Sequence, residues 1–258
     1  MTTYDTPPAT SPSVTVPTWT RGTVLKIWAA AALPMALLAW VGAPLLATAL
    51  SGPTALPRAL ILALAAGLAW QLALVLLIVR REQGSLRWPV LKAALWLNAP
   101  VSTRTRRPSN RLWWIALPLI ALLALEEMLP ALPTPASRDL TLFLGSSTGQ
   151  AWLSGNWIWF AILVVQFVLN TALGEELLFR GLLLPRMGAF GRADWLVNGL
   201  LFALYHLHVP WVIPQTVLVD TFAVALPARR WRSALLGIVV HSAQTVFFTM
   251  IALVLVLR

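Results

Sequence analysis

An all-α, polytopic transmembrane bundle of about seven spans around an intramembrane polar cavity is the fold the sequence predicts. Three observations lead there. Of 258 residues, 59% are apolar and 11% charged, against roughly 25% charged in an average soluble domain. The apolar residues gather into seven runs, most of them near the ~20 residues a spanning helix needs. Few charges interrupt those runs, and the main exception is concentrated: Glu175, Glu176 and Arg180 stand inside one of them. A charge near the bilayer centre costs at least ~2.5–3.5 kcal/mol, so such groups usually face a cavity and work there.

Residues 1–20 are rich in Pro, Ser and Thr and lack hydrophobic periodicity, which predicts a disordered cytoplasmic tail over 1–22 ahead of a transmembrane domain over 23–258. The first apolar run, 27–50, contains Ala47-Thr48-Ala49, which imitates a signal-peptidase site. The run exceeds the 7–15 residues of a signal-peptide core, so a retained span is predicted. The second run is 59–79. After it, Trp88 to Leu97 reads as a segment lying along the interface. The third run, 112–128, closes on Glu126-Glu127, read as an outer helix terminus exposed to headgroup water. The fourth to seventh are 156–184, 195–208, 211–226 and 233–257. His208-Val209-Pro210 breaks the fifth from the sixth, an interruption tolerated where backbone lines an enclosed cavity. There is no cysteine, hence no disulfide, cysteine zinc site or thiol nucleophile.

The net charge of +10 would suggest nucleic-acid binding on a soluble chain. Here the basic residues cluster at the ends of apolar runs, so the partner is the lipid bilayer and no nucleic acid is expected. Alternating the seven spans leaves 15 basic residues on one side, eight of them in 80–111, and only Arg58, Arg138 and Arg258 on the other. The positive-inside rule then predicts a multi-pass protein of the cell membrane, N-terminus cytoplasmic and C-terminus outside.

Depth follows from the same markers. Glu175 lies 11 residues before Arg186, His206 12 after Asp194, and His241 9 after Arg232. At ~1.5 Å rise per residue all three reach roughly 14–18 Å below the cytoplasmic face. Asp220, 9 residues before Arg229, falls at the same level; it could orient His241, bind Arg180 or line a polar seam. Glu176 and Arg180 are spaced i,i+4 in the order that favours an ion pair, leaving Glu175, about 100° around the helix, for another neighbour. His208 is assigned to the boundary of the break. Carboxylate and imidazole gathered in a membrane read first as a hydrolytic or metal site. A non-catalytic scaffold built on a buried charge pair and a transporter or proton relay are the rivals; the latter usually carries an internal repeat, and none is apparent. The other intramembrane protease signatures, H-E-x-x-H, G-x-G-D and G-x-S-G, are missing from the sequence.

Three motifs in order carry a resemblance: Glu175-Glu176-Leu177-Leu178-Phe179-Arg180 (E-E-x-x-x-R), Phe202-Ala203-Leu204-Tyr205-His206 (F-x-x-x-H), and His241 within Gly237 to Thr245. Residues 155–250 resemble the CPBP family, which includes CAAX prenyl endopeptidases and many bacterial Abi or bacteriocin-processing proteins. The resemblance implies an intramembrane endopeptidase with a cytoplasm-facing cavity. Glu175 would polarise water with help from His206, while Glu176 and Arg180 hold the geometry. His241 and a nearby amide would stabilise the oxyanion. Family members often carry Asn four residues after the third-motif His; here Thr245 stands there, with Gln244 beside it. Members are often named metalloproteases, and zinc held by Glu175, His206 and His241 is one reading. A metal-free glutamate mechanism is the other. The implied substrate is a peptide or membrane protein, carrying a lipidated C-terminal segment in the CAAX members. As a non-catalytic alternative, an immunity protein would use the same fold.

Overall fold

In the computed structural model, residues 14–129 and 132–258 are described. The helices are α1 (Arg21–Thr48), α2 (Ala55–Gln83), α3 (Trp88–Ala94), α4 (Asn110–Ala124), α5 (Leu140–Gly145), α6 (Ser147–Leu153), α7 (Trp157–Arg186), α8 (Asp194–Tyr205), α9 (Pro210–Trp231) and α10 (Ala234–Val256). Among the described residues, α1, α2, α7, α9 and α10 are long and apolar enough to cross a membrane. The other two predicted spans are the shorter α4 and α8. The chain is an all-α membrane bundle, and the only extended pairing among the described residues is an isolated bridge between Val101 and Pro108. Helices α5 and α6 were not predicted; each is one to two turns and too short to show an apolar period.

Capping sets several boundaries. Thr20 Oγ1 accepts from the Thr23 amide at 3.1 Å and opens α1 six residues before the predicted span. Gly84, with φ 70°, closes α2 in the left-handed conformation that glycine adopts at no steric cost. Ser233 Oγ accepts from the Leu236 amide at 3.1 Å and opens α10.

The predicted tail lies outside the described residues over 1–13. Its remainder is held in place: the Trp19 indole donates to Glu82 at 3.0 Å, Gln83 donates to the Thr15 carbonyl at 2.8 Å, and residues 21 and 22 are already helical. A Pro/Thr-rich composition disfavours self-packing, but a flanking Trp supplies the apolar area that anchors the strand to the bundle.

Helix α7 is central. Leu178, Phe179, Leu182 and Leu183 pack with Leu68 and Val75 of α2 and with Phe202 and Tyr205 of α8. Large apolar side chains on the outer faces remain exposed, including Leu77 at 60%, Ile158 at 75% and Val246 at 62%; this is the surface that lipid covers. Between Leu169 and Leu183 the helix widens to i→i+5 hydrogen bonding, and α9 does so over Thr221–Ala225. Such widened turns occur often at functional sites. Both begin within a few residues of an intramembrane carboxylate, Glu175 in one case and Asp220 in the other.

Candidate active site

A cavity of about 500 Å³ opens among α2, α7, α8, α9, α10 and the segment that follows α4. Glu175, His206, Asp220, His241 and Gln244 line it, so four residues from three separate motifs and Asp220, selected by its depth, meet around one space. A second cavity of about 510 Å³, lined by Phe247, Phe248, Met250 and other residues of α10, α5 and α6, is almost wholly apolar and carries no chemistry.

Glu175 is 1% exposed. Its Oε1 stands 3.9 Å from His206 Nε2, and its Oε2 has no hydrogen-bond partner among the described residues. At 3.9 Å the pair is not directly bonded, but the separation suits a bridging water. His206 is oriented from behind, its Nδ1 lying 3.0 Å from the Phe202 carbonyl. Because a carbonyl only accepts, Nδ1 carries the proton and Nε2 is the acceptor turned towards Glu175.

Glu176 and Arg180 stand behind the wall rather than on it. Glu176 and Arg180 are both fully buried, with Arg180 Nη1 3.4 Å from Glu176 Oε1. The guanidinium lies 4.1 Å from the centre of the Phe202 ring, a cation–π contact strengthened by desolvation. None of its nitrogens is angled as a hydrogen bond to the carboxylate, so the pairing is one of charge and stacking. The same Glu176 oxygen accepts from His241 Nδ1 at 3.2 Å. Glu176 therefore sets the His241 tautomer, leaving Nε2 as the acceptor nitrogen of the neutral ring. Helix α10 approaches closely here: a Cβ on Gly237 would collide with Glu176 Oε2.

Asp220 is 3% exposed and its Oδ1 has no partner among the described residues. It lines the cavity; no bond ties it to His241 or Arg180. Thr245 is not on the cavity. Its hydroxyl meets Thr171 Oγ1 at 2.6 Å and donates to the Phe167 carbonyl at 3.1 Å, joining α10 to α7.

Three residues read differently in sequence belong to this site. His208 was assigned to the helix boundary, yet it is 8% exposed, lines the cavity, and stacks on His206 with ring centres 5.5 Å apart. The chain leaves α geometry at His206 (ψ 29°), so the roughly 200° that two α-helical steps would put between the two rings no longer applies. Glu126 was placed in headgroup water, yet it lines the cavity and its Oε1 accepts from Thr216 Oγ1 at 3.1 Å. Asn170, which sequence reasoning did not select, lines the cavity beside Gln244. Five residues separate it from Glu175. On an α-helix that is about 140° apart, but one turn of i→i+5 winding returns it to the same face.

A family model described as type II CAAX prenyl endopeptidase, Rce1-like, matches residues 156–247. The match supports assigning this segment to the CPBP family. The matched stretch is α7 to the middle of α10, and it contains every residue of the polar cavity named above except Glu126. No curated protein and no solved structure matches the chain. The Rce1-like segment supplies the chemical groups, and α1 to α4 supply packing and one cavity wall.

No group of three His, Cys, Asp or Glu side chains among the described residues stands close enough to hold a metal ion, although Nε2 of both His206 and His241 is left without a hydrogen-bonded partner. As placed, Glu175, His206 and His241 do not form a three-ligand site.

The cavity also has a direction. Its outer residues, Glu126, Thr134, Asp139, Thr141, His208 and Trp211, belong to the connections opposite Arg80–Arg111. The basic stretch and the cavity rim therefore lie at different ends of the bundle.

Proposed function

We propose that the protein is an intramembrane endopeptidase of the CAAX-protease type that hydrolyses a peptide bond with a water activated by Glu175. The observation that carries this reading is a buried carboxylate on the polar cavity, Glu175, with an unpartnered oxygen and an acceptor imidazole 3.9 Å away that lines the same space. A buried polar atom without a partner calls for an explanation, and a general base awaiting its water is one. In the reaction, Glu175 takes a proton as the water oxygen attacks the carbonyl carbon. His206 orients that water through its second proton. The tetrahedral oxyanion is met by Gln244 or Asn170 amide N–H groups and by His241 when protonated at Nε2. Glu175 then returns its proton to the leaving nitrogen as the C–N bond breaks. Donors of this kind act strongly in a dry, preorganised site. Asp220 balances the positive charge that a doubly protonated His241 would carry.

The test is purified protein in detergent or liposomes, incubated with a peptide library and read by mass spectrometry. Cleavage by the wild-type chain and its loss in Glu175→Gln support the reading. Cleavage that survives Glu175→Gln at near wild-type rate overturns it and favours a scaffold role for the same fold.

A further inference from the structure

The two ends of the bundle differ in charge, and the cavity belongs to only one of them. At the first end Arg186 pairs with Glu82 at 2.6 Å, Arg229 pairs with Asp194, and the Asn98 amide donates to the Arg232 carbonyl at 3.0 Å. These contacts gather the start of α1, the stretch 80–111, the α7–α8 turn and the α9–α10 turn on one face. That face holds the 15 basic residues counted above.

At the other end Arg138 donates to the Ala39 carbonyl at 3.0 Å, the Trp40 indole donates to the Leu207 carbonyl at 2.8 Å, and Gly155 N–H donates to the Val256 carbonyl at 2.9 Å. Only Arg58, Arg138 and Arg258 lie there. Every rim residue of the cavity comes from this second end. Thr141 is exposed, Glu126 and Asp139 are half-buried, and Glu175, Asp220 and His241 lie deepest. No residue of 80–111, of 186–195 or of 229–234 lines the cavity.

The positive-inside rule holds basic loops of this length in the cytoplasm, and a 15-to-3 imbalance leaves little competition. We infer that the cavity opens to the non-cytoplasmic side of the membrane, and that its substrate is a polypeptide segment presented there, during or after translocation, rather than a chain end presented in the cytoplasm. The sidedness stands on charge and geometry alone; the word substrate rests on the hydrolase reading above.

The chain has no cysteine, so single cysteines report location cleanly. Thr141→Cys marks the rim, Gln244→Cys the cavity wall and Arg104→Cys the basic face. Intact cells producing each variant are treated with a membrane-impermeant maleimide, before and after permeabilisation. Thr141→Cys and Gln244→Cys are expected to label in intact cells, and Arg104→Cys only after permeabilisation. Labelling of Gln244→Cys only after permeabilisation, with denatured protein confirming that the thiol reacts, overturns the inference. So does labelling of Arg104→Cys from outside. Because labelling needs no turnover, a protein that cleaves nothing still decides sidedness, and the wrong sidedness leaves the hydrolase reading intact.

Discussion

Glu175 and Glu176 are neighbours in the chain with opposite circumstances. Glu176 Oε1 is shared by Arg180 and His241 behind the cavity wall, whereas Glu175 lines the cavity; each keeps an Oε2 with no hydrogen-bond partner among the described residues. Exchange to glutamine separates them. Glu175→Gln is expected to lower kcat by about 10²–10⁴-fold without loss of thermal stability, because the amide replaces a carboxylate that burial disfavours. Proteolysis assays paired with thermal unfolding in detergent check both halves, and a matched fall in stability would point to a structural role. Arg180→Met is expected to fail earlier. It strands Glu176 without its cation, and breaking a buried pair typically costs about 3–5 kcal/mol, so little folded protein should be recovered. The three main site residues, Glu175, His206 and His241, were legible in sequence because ionisable groups in apolar runs are conspicuous. Thr245 was misjudged because its position in the motif says nothing of the hydroxyl partner on α7 that takes it away from the cavity.

At the scale of the element, the close approach of α10 to α7 is where local preference and tertiary need diverge. Replacing a helical glycine by alanine ordinarily stabilises a helix by roughly 0.5–1 kcal/mol. Gly237→Ala should do the reverse, since its Cβ would strike Glu176 Oε2 and push aside the group that orients His241. The expected outcome is a lowered Tm together with a lowered kcat; an unchanged kcat would mean that Glu176 does not position His241. Asn170 illustrates a different gap in the sequence reading. It shares a cavity with Glu175 only because α7 widens between Leu169 and Leu183, and an α-helical projection puts it on another face. His208 was hidden for the same reason, where α8 tightens before Pro210.

Across the whole molecule the basic end acts as a clamp remote from the cavity. Fully buried Arg186 grips Glu82 through two nitrogens and donates to the carbonyls of Ala94 and Leu182, while Trp19 binds the same carboxylate. Hydrogen bonds to charged groups contribute about 1.5–3 kcal/mol each. Arg186→Met is therefore expected to lower Tm markedly while the folded fraction keeps its kcat. Loss of kcat in fully folded protein would show that the clamp reaches the site. The clamp also orders residues 14–20, which composition alone assigns to a tail.

Membrane class, helical build, basic asymmetry and the motif residues were all present in the sequence, because partition between lipid and water depends on local composition and length. Which carboxylates line the cavity and which histidine faces which acid were decided only by the tertiary structure. Those properties depend on helix rotation and on departures from i→i+4 winding, and both are set by neighbours distant in the chain.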